Sequence, residues 1–228
     1  MLSASFIPFF IISFLIIVHE LGHFITAKIL KVEVDKIYIY PLGGISKFFL
    51  PLNASFLKEL LILIAGPLSQ VLAALILKIS MPEYNKLIIS YHMGILIFNL
   101  LPIYPLDGGK LIHLLFSTTI PFEKSLRLSI IISYLTISIY FLINISSLNI
   151  SVIIITIFLI YKVIQEQKQI KYIYEKFILE RYLNNYNFKK SKLINNYKNF
   201  YKNKRHLIKE NNEYYLEYEY LEKKYKKL

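Results

Sequence analysis

The sequence predicts an all-α membrane protein of about five transmembrane helices, with a short β-hairpin after the first and a small cytoplasmic tail. Three observations carry that prediction. The 228 residues are 55% hydrophobic, with a mean hydropathy of +0.47, too apolar for an ordinary water-soluble domain. Five apolar stretches, roughly 5–30, 56–79, 87–104, 126–146 and 148–163, approach the ~20 residues a helix needs to cross ~30 Å of hydrocarbon. The charge is also uneven: residues 162–228 hold 17 Lys and Arg against 8 Asp and Glu, so this region carries +9 of the formal +12. Residues 1–165 therefore read as a membrane core and 166–228 as a basic tail.

The first stretch has no basic start and no small-residue cleavage site, so it reads as a retained span and not a signal peptide. Lys36–Leu52 follows. There Lys-Ile-Tyr-Ile-Tyr alternates, Pro41-Leu42-Gly43-Gly44 makes a turn, and Ile45–Leu50 is apolar again, which is a hairpin signal. It is either a plain connection or an exposed strand edge able to pair with an extended substrate. The second span carries Ala65-Gly66-Pro67-Leu68, and the third runs into Pro102 and Pro105. The fourth and fifth are joined only by the sequence around Ser146–Asn149, which predicts a tight helical hairpin. Their Ile-rich composition favours strands in water, but in lipid a helix satisfies its own backbone. Ile170, Ile173, Phe177 and Ile178 fall near helical spacing, either as a surface helix or as an extension of the last span. From Asn184 the chain is rich in Asn, Lys and Tyr, a compositional bias.

Charge predicts orientation. Lys28, Lys31, Lys36, Lys47 and Lys58 lie between spans one and two, and Lys110, Lys124 and Arg127 lie between spans three and four. Placing these and the tail in the cytoplasm requires alternate crossings, leaving Lys78 and Lys86 outside. The C-terminus is then cytoplasmic and the N-terminus outside. A basic tail after a span faces anionic lipid. No recognition motif accompanies the charge, so nucleic acid is not a predicted partner. Without cysteine the chain has neither disulfides nor thiolate ligands.

The first span contains His19-Glu20-Leu21-Gly22-His23. On a helix, His19 and His23 lie one turn apart on one face and can share a zinc ion, while Glu20 can take a proton from a water that the metal polarises. The plain alternative is a buried, hydrogen-bonded histidine pair, which lipid disfavours because idle polar groups are costly there. Catalytic zinc usually has three protein ligands, so one is missing from this motif. The candidates are His92, His113, Asp107, Glu59, Glu83 and Glu123. Asp107 stands out, because Pro102 and Pro105 break the third span just before it and Gly108 and Gly109 follow. An Asp-Gly turn at the membrane surface fits the same residues, and spacing alone leaves both readings open.

His19–His23 together with Asn99–Gly109 resembles the site-2 proteases, and within them the sporulation branch. Supporting stretches are Pro41–Gly44, Ala65–Leu68, Asn99–Lys110 and Phe177–Tyr182. The resemblance implies one zinc per chain bound by His19, His23 and Asp107. It gives Glu20 the role of general base, and Asn99 and Pro102 a part in a substrate channel. It assigns Gly43-Gly44 and Gly66-Pro67 to turns and packing. It further implies a substrate that is a membrane-associated precursor, a sporulation sigma factor, with membrane regulatory subunits as partners. The location would be a bacterial inner or forespore-surrounding membrane. Members of the branch usually have a span before the motif helix and a paired nucleotide-sensing module of the cystathionine-β-synthase type at the end. Here the sequence opens on the motif helix, and Tyr197–Tyr225, with His206 inside it, reads as a shrunken remnant of such a module. That puts nucleotide regulation in doubt. The rival reading is a non-catalytic zinc-binding scaffold or carrier, which would have no need of Glu20.

Overall fold

A computed structural model of the chain describes residues 2–32, 36–40, 43–47, 51–184, 186, 188, 190–210 and 212–226. It divides into two compact units, Met1–Leu50 with Leu57–Leu101, and Pro51–Phe56 with Pro102–Leu228.

The first unit contains α1 (Leu2–Ile29), β1 (Lys36–Tyr40), β2 (Gly43–Lys47), α2 (Phe56–Ser80) and α3 (Asn85–Leu100). Its helices meet through a core of Ile11 and Leu15 from α1, Ala73, Ala74 and Leu77 from α2, and Ile88 from α3. Small residues on α2 let the neighbouring helices come close. The motif helix ends sharply. Lys31 takes φ 53, Val32 N–H donates to the Ala27 carbonyl at 2.9 Å and Lys31 N–H to the Lys28 carbonyl at 3.0 Å. This is a Schellman end, sealed by Val32 packing with Ala27 and Ile62. The expected hairpin is present, β1 antiparallel to β2 with Tyr40 opposite Gly43; Pro41 and Leu42 of its turn lie outside the described residues.

The second unit contains α4 (Asp107–Ser117), α5 (Phe122–Ile143), α6 (Ile150–Leu183), β3 (Ser191–Ile194), β4 (Arg205–Glu210), β5 (Glu213–Leu216) and α7 (Glu217–Tyr225). α5 and α6 form the predicted tight hairpin. Its short connection ends at Asn149, whose side chain accepts the Val152 N–H at 3.0 Å and caps α6. At 34 residues, α6 is about 51 Å long, far more than one membrane crossing requires. The segment around Ile170–Leu183 therefore extends the last span. Beyond it, β3 pairs parallel with β4 and β4 antiparallel with β5, a sheet that composition did not reveal.

Among the described residues, four helices are long and apolar enough to cross a membrane: Phe6–Ile29, Phe56–Ser80, Phe122–Ile143 and Ile150–Leu183. The third expected stretch is helical too, but α3 has only 16 residues, about 24 Å at 1.5 Å per residue. It stops short of the predicted end because Leu101 precedes Pro102 and adopts φ −56, ψ 138, the extended conformation that proline imposes on its predecessor. Many large apolar side chains on these helices remain exposed, among them Phe6, Ile17, Leu72, Ile79, Leu135 and Ile154. Faces this apolar suit lipid and not water.

Candidate metal centre

His19 and His23 are 2% and 5% exposed, so both rings are withdrawn from solvent. Their Nε2 atoms lie 3.2 Å apart. His23 Nδ1 lies 2.7 Å from the Ile62 carbonyl oxygen. A carbonyl only accepts, so Nδ1 carries the proton and Nε2 of the neutral ring presents a lone pair. His19 Nδ1 lies 3.0 Å from the Gln70 side-chain oxygen. Two acceptor nitrogens at 3.2 Å repel each other unless a cation or a shared proton sits between them. Two imidazoles on one tetrahedral zinc, each at 2.0–2.1 Å, would be about 3.3 Å apart. The donor set and its spacing therefore fit zinc. Glu20 is the next residue on the same helix and is half-buried.

The sequence of α2 explains why the His23 ring can lie where it does. A Cβ on Gly66 would fall 2.2 Å from His23 Nε2 and 2.4 Å from its Cε1. No side chain fits there. Gly22, inside the motif, has the same relation to α2, since a Cβ would meet the Ala65 carbonyl oxygen at 2.5 Å and Ser69 Oγ at 2.2 Å. Ser69 Oγ in turn donates to the Val18 carbonyl at 2.9 Å, tying the two helices together. Pro67 lacks the N–H that would bond Leu63, which interrupts the ladder within the turn that presents the Ile62 carbonyl. Gly66-Pro67 thus does more than pack: it shapes the floor under one of the two histidines. Gln70 and the Ile62 carbonyl were not found from sequence. A glutamine inside a 25-residue apolar span is the signal that could have found the first.

In the second unit, Asp107 is buried at 8% exposure and is the first residue of α4. The Asp-Gly pair does not turn: Gly108 and Gly109 are helical. Gly109 instead allows a close approach, because a Cβ there would meet Tyr104 N at 2.3 Å and the Ile103 carbonyl oxygen at 2.5 Å. The crossing segment is pinned by Tyr104 N–H donating to Ser133 Oγ at 2.8 Å. At a helix N-terminus a carboxylate gains from the macrodipole, and Lys110 Nζ lies 3.5 Å from it. Pro102 is half-buried in this segment, and Asn99 is half-buried in the last turn of α3 in the other unit.

The other ligand candidates have separate engagements. His92 lies 3.3 Å from the Gln70 side-chain nitrogen. His113 Nδ1 lies 3.1 Å from Ser125 Oγ, and burial, with Lys202 adding, pushes its pKa down to about 3. Glu123 pairs with Arg127 at 2.6 Å. Glu83 is exposed and Glu59 half-buried. His206 belongs to the tail: its Nδ1 lies 2.9 Å from the Glu217 carboxylate, and burial outweighs that carboxylate and holds its pKa below the ordinary value.

A buried histidine pair on an apolar helix, backed by a glycine–proline helix, has the donor set of a metal centre embedded in a membrane. Residues 7–86 match the peptidase family M50. The chain is 34% identical over 176 residues to stage IV sporulation protein FB of Bacillus subtilis, covering 74% of this chain and 61% of that protein. It is 29% identical over 166 residues to the zinc metalloprotease MJ0392 of Methanocaldococcus jannaschii, covering 68% of this chain and 48% of that one. The site-2 protease structure from M. jannaschii superposes with a TM-score of 0.56 at 27% identity, covering 69% of this chain and 76% of that chain. The chain thus carries a domain of peptidase family M50, the site-2 proteases, in a multi-pass membrane protein. It spans about three-fifths of the sporulation protein's length and about half that of the archaeal protease.

Proposed function

We propose that this protein is an intramembrane zinc metalloprotease that hydrolyses a peptide bond in a membrane-associated protein. The observation that carries the reading is the convergence of the His19 and His23 Nε2 atoms, 3.2 Å apart in a buried site, with Glu20 beside them. His19, His23 and Asp107 would hold one zinc ion, with Asp107 bringing the carboxylate that would complete a three-ligand set. When bound, zinc supplies Lewis-acid polarisation and makes water acidic enough to react near neutral pH. Glu20 accepts the proton of the attacking water and passes it to the leaving amine. The buried site limits water to what the reaction needs, while Asn99 and Pro102 border the path of the substrate.

The substrate is a sporulation sigma-factor precursor, a reading supported by similarity to stage IV sporulation protein FB. The C-terminus is cytoplasmic, in line with the basic charge of residues 162–228. The tail is a reduced form of a nucleotide-sensing module. Its β3–β5 sheet has a parallel pair followed by an antiparallel hairpin, and α7 follows.

The test is cleavage of a candidate precursor co-expressed with the wild type and with Glu20→Gln. Purified protein should contain about one zinc per chain, set by a single His-His-carboxylate site. Glu20→Gln should keep the zinc and lose cleavage. Full cleavage by that variant would overturn the mechanism, and a zinc-free wild type would overturn the metal assignment.

A further inference from the structure

Gln70 is fully buried at 0% exposure, midway along the apolar helix α2. An amide there must find partners for both its oxygen and its nitrogen. Its Nε2 donates to the His92 backbone carbonyl on α3 at 3.1 Å. That carbonyl can only accept, which settles which end of the amide is nitrogen. Its Oε1 is then the atom 3.0 Å from His19 Nδ1. An amide oxygen can only accept, so His19 Nδ1 must carry the proton. From this chain of hydrogen bonds we infer that Gln70 is the positioning residue of the metal centre. It sets the His19 tautomer that leaves Nε2 as the metal donor, and its own orientation is set by the backbone of α3. The inference deepens the metalloprotease reading and rests on it.

The two histidines are therefore prepared by different means. His23 is set by a backbone carbonyl, that of Ile62, which no side-chain substitution removes. The acceptor facing His19 Nδ1 is a side chain, that of Gln70. If Gln70 is lost, that acceptor goes with it, the Nδ1–H tautomer loses its stabilisation, and a smaller fraction of molecules would offer Nε2 to the metal. Outer partners of this kind typically change metal affinity by about 10- to 100-fold.

The experiment measures zinc affinity of detergent-purified wild type, Gln70→Leu and Gln70→Glu by competition with a chromogenic chelator, alongside thermal unfolding of the metal-free forms. Gln70→Leu is expected to bind zinc about 10- to 100-fold more weakly. Gln70→Glu keeps an acceptor for His19 Nδ1–H while losing the donor to His92, and is expected to bind zinc closer to wild type than to the Leu variant. Equal affinity in wild type and Leu variant would overturn the inference. So would equal losses in Leu and Glu variants, since that would trace the effect to the His92 contact or to packing. If the Leu variant does not fold, the nitrogen chemical shifts of His19 in metal-free wild type, assigned by comparison with His19→Asn, give the answer directly. A proton on Nδ1 supports the inference and a proton on Nε2 overturns it. A wild type that binds no zinc at all would instead refute the metalloprotease reading.

Discussion

Gly66 shows how a residue without a side chain can govern chemistry. Replacing a helical glycine by alanine ordinarily stabilises a helix by roughly 0.5–1 kcal/mol. At Gly66 the new methyl group would sit 2.2 Å from His23 Nε2, and the atom in the way belongs to a ring already held by the Ile62 carbonyl. Gly66→Ala should therefore keep the helical circular dichroism spectrum and lose zinc affinity by at least about 10-fold, the scale on which displaced ligands are felt. Zinc content after purification checks this, and an unchanged content would show that the ring has room to move. His113 makes a different kind of prediction. It is neutral in the fold because burial and then the Lys202 charge push its pKa down to about 3, whereas an unfolded histidine titrates near 6.5. Below about pH 6.5 the unfolded state takes up a proton that the folded state refuses. Its contribution to stability is thus complete above that pH and is lost steadily as pH falls toward 3. The melting temperature should drop between pH 7 and pH 5. His113→Gln should make that drop shallower, leaving the share from His206, whose pKa is also lowered by burial.

At the scale of elements, Arg181 on α6 makes the densest set of contacts between that helix and the tail, beside the Lys224–Glu175 ion pair and the rings of Tyr182 and Tyr218. Arg181 Nε donates to Asn53 Oδ1 at 2.8 Å, its NH1 to Glu217 at 2.8 Å and to the Lys204 carbonyl at 3.0 Å, and its NH2 to the Tyr201 and Lys202 carbonyls at 2.6 Å each. The guanidinium lies 4.9 Å from the Phe177 ring centroid and 4.5 Å from that of Phe188. Removing one partner of a buried ion pair typically costs about 3–5 kcal/mol, so Arg181→Met should detach the tail. Limited proteolysis after Leu183 should accelerate strongly while zinc content stays at the wild-type level. Arg181→Lys should not rescue it, because a single ammonium cannot span the fork's five acceptors. A proteolysis rate equal to wild type would show that the tail is held elsewhere.

The helices were legible in the sequence because apolar runs of membrane length have few other uses, and Pro102 marked the end of α3 to within a few residues. The tail sheet was not. In β4 the buried residues are His206 and Ile208 while Leu207 is 37% exposed, so apolarity does not alternate with burial and the strand leaves no period-2 signal. The histidine motif announced itself, but its supports did not. Which residues of α2 face His19 and His23 depends on how two helices pack, and no local pattern encodes that for Gly66 or Gln70.

For the whole molecule, the number of membrane crossings fixes which side each loop and the tail occupy. Among the described residues four helices have the length and composition to cross, and α3, at about 24 Å, falls short of a ~30 Å hydrocarbon core. Charge argues that α3 crosses nevertheless. Lys110, Lys124 and Arg127 and the tail with its +9 can share the side of Lys28–Lys58 only if a crossing separates them from Lys78 and Lys86. Local thinning of the bilayer around a short helix costs only fractions of a kcal/mol per Å, less than moving that much positive charge to the wrong face. The two arrangements differ in one observable. With α3 crossing, the turn at Glu83 and the exposed tail residue Lys198 lie on opposite sides; with α3 embedded, they lie on the same side. The chain contains no cysteine, so Glu83→Cys and Lys198→Cys each give a single reactive thiol. A membrane-impermeant maleimide applied to intact spheroplasts should label Glu83→Cys at once and Lys198→Cys only after permeabilisation. Labelling of both from outside would mean that α3 does not cross and that the tail is external, and would overturn the orientation that the charge predicts.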